Sequence, residues 1–254
     1  MLNKRAKKVA IISWLTLLWF MLLGNAYAWE VPAFLRVNGG ARLWFSVLDG
    51  DLVQADRTKL GFIDNLGLKK SELAWEYFAT FRASNIHVVR VRTEPSTLYD
   101  QSANGSSLGM SSSRVGYDLD FYMTPQALVG LNTDVEVVSL NTQINNVQVG
   151  KSVYNYSRKD TYAVPSIGMH GTFYPMLSNV SLRPNLSARV NWWNYRSRST
   201  WDCEIAAAVD VPINRLWTWT VNGGYRVWNF KVKRDRDRVD MTRQGFFVET
   251  SILF

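Results

Sequence analysis

The chain has 254 residues, with 29 Lys and Arg against 21 Asp and Glu, two His and one Cys, and a formal charge of +8. A single cysteine excludes a disulfide framework within the chain. The longest basic block, KVKRDRDR at 231–238, is broken by Asp235 and Asp237, so nucleic acid is not an expected partner.

The first segment, MLNKRAKK, carries Lys4, Arg5, Lys7 and Lys8 and no acid. An apolar run from Val9 to Leu23 follows, then Ala26-Tyr27-Ala28. A basic start, a short apolar core and an Ala-x-Ala site predict a secretory signal peptide over 1–28, cleaved after Ala28. Its loss lowers the formal charge to +4, because four basic residues and no acid go with it. Residues 29–254 hold no apolar run near the ~18 residues of a membrane helix. They are nevertheless rich in aromatics, and their apolar residues alternate.

About ten strands are expected in chain order, with eight as the alternative count. The first, near 35–48, turns Val37, Ala41, Leu43, Phe45 and Val47 one way and Arg36, Arg42 and Ser46 the other. The second, near 71–82, sends Leu73, Trp75, Tyr77 and Phe81 outward and Glu72, Glu76 and Arg82 inward. After a turn at 83–85, the third (86–94) points Arg90, Arg92 and Glu94 inward. The fourth (114–123) points Arg114, Asp118 and Asp120 inward and Val115, Tyr117, Leu119 and Phe121 outward. The fifth (127–140) contributes Asn132, Asp134 and Glu136, and the sixth (161–174) contributes His170. The seventh (180–195) turns Arg183, Asn185, Arg189 and Asn191 inward, and the eighth (201–211) turns Asp202, Glu204 and Asp210 inward. The ninth (217–230) carries Arg226, and the tenth carries Arg243 and Glu249 against Phe246, Val248, Thr250, Ile252 and Phe254. Strands of this period have one apolar and one polar face. The connections near 50–69, 95–112 and 141–159 read as long loops, the second with the flexible stretch SANGSSLGMSSS, and those between them as short turns.

An exported, alternating, aromatic-rich chain without disulfides points to an all-β fold, a transmembrane antiparallel up-and-down β-barrel. A periplasmic β-sandwich is the competing reading. The last strand, QGFFVETSILF, alternates up to a terminal aromatic and resembles that of small bacterial outer-membrane β-barrels. The resemblance covers 29–254. It implies an outer-membrane location with both termini in the periplasm, outer-membrane lipid as surroundings, and reading of the last strand (Phe246, Val248, Thr250, Ile252 and Phe254) by the barrel assembly machinery.

The inward charges number ten arginines against eleven carboxylates by this parity, including Arg36, Glu72 and Arg183. Such balance argues against selection of one ion sign, and arginine favours bidentate pairing with carboxylates. Glu76 is expected near Arg92 and Arg189 near Asp210. The carboxylates Asp118, Asp120, Asp134 and Glu136 are read as partners of arginines such as Arg92 and Arg114 rather than as metal ligands. His87 and His170 have no nucleophile motif beside them, and no cofactor is expected. A structural or loop-presenting barrel with a filled, charged lumen is the leading functional reading. A narrow channel for ions or small solutes is the alternative, and an outer-membrane hydrolase or acyltransferase comes third.

Overall fold

The structure, a computed structural model, describes residues 35–53, 58–84, 86–100, 105–124, 126–149, 152–175, 182–195, 197–213, 217–234 and 237–254. The expected signal peptide, residues 1–28, lies outside them. The strands are β1 (Leu35–Val53), a short β2 (Lys59–Gly61), β3 (Ser71–Ala83), β4 (His87–Asp100), β5 (Ser107–Met123) and β6 (Ala127–Val149). They continue with β7 (Ser152–Phe173), β8 (Arg183–Tyr195), β9 (Arg198–Pro212), β10 (Thr218–Arg234) and β11 (Asp237–Leu253).

Apart from β2, each strand pairs antiparallel with its neighbour in sequence, and β11 returns to β1. The seam runs from Asn38↔Leu253 to Val53↔Arg238. Below it, Val37 and Phe254 exchange backbone hydrogen bonds of 2.8 and 2.9 Å. Ten strands therefore close into a barrel without a free edge at the seam. Leu35, the first described residue, and Phe254 mark one end of it, called the terminal end.

The alternation in the sequence becomes two faces. On β1, Phe45 is 53% exposed while Trp44 and Ser46 are buried. Leu73, Trp75, Tyr77, Phe81, Val115, Trp192, Trp201, Ile205, Phe246 and Val248 also stand exposed on the outside. Arginines and carboxylates line the inside from the terminal end to the middle. An apolar exterior around an ionic interior is the reverse of a water-soluble fold, and it fits a wall surrounded by lipid. The fold is a transmembrane β-barrel of ten strands.

Several expected loops are strand. β3 and β8 have 13 residues each, whereas β6 and β7 have 23 and 22. A membrane strand needs about 9–11 residues, so β6 and β7 rise well past the apolar band at the far end. Their outer faces turn polar there, where Ser139 and Thr161 hydroxyls meet at 3.0 Å. Within the supposed loops at 95–112 and 141–159, residues 95–100 and 107–112 are the upper parts of β4 and β5, and residues 141–149 and 152–159 those of β6 and β7. Most of the Ser/Gly stretch lies in β5, because β4 and β6 ladder it on both sides. The expected alternation of short turns and long loops is thereby replaced by strands of unequal height.

Candidate functional site

The lumen has two layers. Toward the terminal end and the middle it is ionic, and toward the far end it is apolar. The ionic layer centres on two arginines. Arg42, on β1, donates to both oxygens of Glu204 at 2.7 and 2.8 Å and to Glu249 at 2.8 and 2.6 Å. Its guanidinium carbon stands 3.9 Å from the centroid of the Phe247 ring. Arg226, on β10, clasps Asp202 with two bonds of 2.9 Å and donates to Glu76 at 2.5 Å. Arg114 joins Asp202 to Glu136 at 2.5 and 2.9 Å, and the Trp228 indole N–H also donates to Glu136. These bonds cross the barrel from β5 to β9 and from β3 to β10, so they tie the walls together through the interior. Planar guanidinium groups suit this bridging of several carboxylates.

A second group lies nearer the terminal end. Arg90 binds Asp118 through two bonds of 2.8 Å and Asp134 through one of 2.9 Å, and Arg189 closes on Asp118 at 3.0 and 3.1 Å. Asn191 donates to Asp134 at 2.7 Å and accepts from Asn132. Gly116 makes room for this group, since a Cβ there would sit 1.9 Å from Asp134 Oδ1 and 3.0 Å from Arg90 Nη2. Arg82 and His170 share Asp120, at 2.8 and 2.7 Å. Above the central cluster, Arg243 reaches Glu94 at 2.9 and 3.1 Å, the Tyr99 hydroxyl at 3.0 Å and the Ser46 hydroxyl at 3.2 Å. The guanidinium carbons of Arg243 and Arg226 stand 4.3 and 4.6 Å from the centroid of the Trp44 ring.

Trp44 marks the boundary with the apolar layer. Above it Leu48, Leu52, Tyr99, Leu108, Met110, Val138, Leu140, Ile144, Trp228 and Phe230 form one buried cluster. β2 and the segment after it fold onto this cluster and add Leu60, Phe62, Leu66 and Leu68, each at most 4% exposed. Backbone bonds fix it, from Phe62 N–H to Gly50 C=O at 3.0 Å and from Lys69 N–H to Asp100 C=O at 3.2 Å. Residues 59–69 of the first connection therefore form a plug.

Glu76 and Arg92 are neighbours as expected, 3.8 Å apart, although Arg226 holds Glu76 more closely at 2.5 Å. Arg189 faces Asp118 rather than Asp210, because the register sets Arg183 opposite Asp210 and Arg189 opposite Glu204. Asp210 instead accepts from Thr220 and Asn185. Glu136 is a partner of Arg114 as expected, but Arg92 takes none of the four carboxylates of β5 and β6. Arg36 and Arg183 are exposed at the terminal end and make no ion pair among the described residues, while Glu72 meets Lys69 near the far rim at 3.3 Å. The apolar plug was not anticipated. Its signal is that Leu108, Met110, Val138 and Leu140 keep the inward parity of the ionic residues below them.

His87 is on the outer face, with Nδ1 2.5 Å from the Tyr117 hydroxyl. Neither this pair nor His170–Asp120 includes a serine or cysteine nucleophile. Among the described residues no three His, Cys, Asp or Glu side chains gather as a metal site. Cys203 is a half-buried free thiol on the outer parity of β9.

On the terminal strand, Phe246, Val248, Thr250, Ile252 and Phe254 are exposed on the outer face. Phe254 lies beside Trp217, with ring centroids 6.0 Å apart.

No family model and no curated protein matches the chain. Among solved structures, the chain is similar to the outer membrane protease OmpT of Escherichia coli at 7% identity, over 86% of this chain and 96% of that one, with a TM-score of 0.47. The translocator domain of the autotransporter NalP of Neisseria meningitidis matches at 7% identity over 98% and 97%, with a TM-score of 0.43. The outer membrane protein OprG of Pseudomonas aeruginosa matches at 11% identity over 87% and 95%, with a TM-score of 0.37. All three are bacterial outer-membrane proteins, and likenesses at this level carry no residue role to this chain. The class that its own wall and lumen define is the transmembrane antiparallel β-barrel of ten strands.

Proposed function

We propose that the protein is an integral outer-membrane barrel, with both termini in the periplasm, that works as a sealed structural and surface-presenting scaffold rather than as a pore or an enzyme. One observation carries this reading: the lumen is occupied in two successive layers, cross-barrel ion pairs and then an apolar plug. A continuous polar lining favours conduction, and the apolar layer interrupts it above the cross-barrel ion pairs. In this orientation β4–β7 project outward from the cell. The final strand, through Phe246, Val248, Thr250, Ile252 and Phe254, serves as the address for the assembly machinery. Liposomes carrying the protein should not swell in isosmotic small sugars. In whole cells lacking the native Cys203, a cysteine at Lys159 should react with an impermeant maleimide, and one at Ser84 should not. Swelling would refute the sealed scaffold, and reversed labelling would refute the orientation.

A further inference from the structure

The wall has a notch. β7 pairs with β8 only from Ile167↔Trp192 to Phe173↔Leu186, although β7 continues upward to Ser152. Pro165 sits two residues above the last pair. Proline is tolerated in a sheet where its nitrogen faces an edge, so Pro165 ends the ladder on the β8 side. Successive residues of a strand turn their backbone groups to opposite sides. Ala163, Thr161, Lys159, Ser157, Asn155 and Val153 therefore turn N–H and C=O toward the notch, the side that the Pro165 C=O and the backbone of Ile167 also face. The Arg198 guanidinium confirms this parity by donating to Ala163 C=O at 2.8 Å. The β8–β9 hairpin ends at that level, and β10 and β11 lie beyond it. Thr161, Lys159, Ser157, Asn155 and Val153 are exposed, Val153 by 60%, and the outer face here is polar.

We propose that this edge of β7, from Val153 to Thr161, is a docking site for an extended acidic peptide of another protein, added antiparallel as a further strand. An exposed edge is a template for main-chain pairing, and alternate side chains then supply specificity. Charge selects the occupant. Lys159, Arg198 and Lys233 are exposed around the notch and form no ion pair among the described residues. The nearby acids Asp160 and Asp237 are already held by Arg158 at 2.6 and 2.7 Å. A second copy of this chain would bring the same three cations against their equivalents, whereas alternate carboxylates on a peptide would meet them. The proposal does not depend on whether the barrel conducts.

The test uses the full-length protein in detergent and a fluorescent seven-residue peptide of alternating Val and Glu. Controls are the same peptide N-methylated at alternate residues and one with Lys in place of Glu. The Val/Glu peptide should bind saturably, and both controls should bind at least about tenfold more weakly, because they lose main-chain donors or matching charge. Lys159→Glu should weaken binding by a similar factor, and Ser157→Pro should abolish it, with unchanged heat-modifiable gel mobility confirming that both variants are folded. Should Ser157→Pro misfold, the N-methylated peptide alone decides the point. Equal binding of the methylated peptide would overturn strand addition. Absence of binding, or efficient cross-linking of two copies through Lys159→Cys in the Cys203→Ala background, would overturn the assigned occupant.

Discussion

Arg226→Gln tests the claim that the ionic layer is dry and tightly coupled. The substitution removes three charge-assisted hydrogen bonds, two to Asp202 and one to Glu76, at a residue 3% exposed. Taken singly at about 1.5–3 kcal/mol each they would sum to several kcal/mol, but bonds sharing one guanidinium are not additive. The cost of orphaning a buried partner, about 3–5 kcal/mol, is the better guide. The surrounding cluster sharpens it: Arg42, Arg92, Arg114 and Arg226 already face five carboxylates, Glu76, Glu136, Asp202, Glu204 and Glu249. Loss of Arg226 widens that excess. For a domain of this size, about 3–5 kcal/mol corresponds to a fall in Tm on the order of 10 °C. Urea unfolding in lipid or detergent, followed by gel mobility, measures it. Adding Asp202→Asn should recover about 1–2 kcal/mol as a coupling energy. Arg82→Gln is the comparison, because its side chain is 29% exposed and Asp120 keeps His170, so its cost should stay within about 1 kcal/mol. A loss below about 1 kcal/mol in Arg226→Gln, or strict additivity with Asp202→Asn, would mean a wet, loosely paired lumen.

Three further outcomes follow from the same geometry. Gly116→Ala should cost about 2–3 kcal/mol, since its Cβ would displace the Asp134 carboxylate from Arg90; a neutral effect in urea unfolding would contradict the packing there. A cysteine spin-label series along β9 should show period two, with Ile205, Ala207 and Val209 accessible to lipid-soluble oxygen and Asp202, Ala206 and Ala208 shielded; a flat profile would reject the wall assignment. Phe254→Asp should lower the amount of protein in the outer membrane more than it lowers refolding in detergent, measured by fractionation; normal outer-membrane levels would remove the assembly role of the last strand.

The wall was legible in the sequence because strand parity is local. Phe45, Trp75, Ile205 and Phe246 face outward as their spacing requires, and Arg42, Glu76, Asp202 and Arg226 face inward. Cross-lumen partners were not legible. Arg226 and Glu76 are 150 residues apart, and Arg114 and Asp202 are 88 apart, so their meeting depends on closure of the whole barrel. Turn-based guesses therefore found Glu76 and Arg92 as neighbours but missed the stronger partner, and set Arg189 against the wrong acid. Strand ends failed for a different reason. Residues such as Gly109 and Ser111 have weak strand propensity alone, but ladders from β4 and β6 on both sides override it. The plug was hidden because Leu60, Phe62, Leu66 and Leu68 sit in a stretch with turn chemistry, where Asp64 and Asn65 separate two short apolar pairs.

Single-channel recording in a planar bilayer tests the sealed lumen most directly. The wild-type protein should give no steady open conductance. Leu66→Asp combined with Phe62→Asp places two charges in the apolar layer and should produce intermittent ion passage while the ionic layer still limits it. A large, steady conductance from the wild-type barrel would contradict the account.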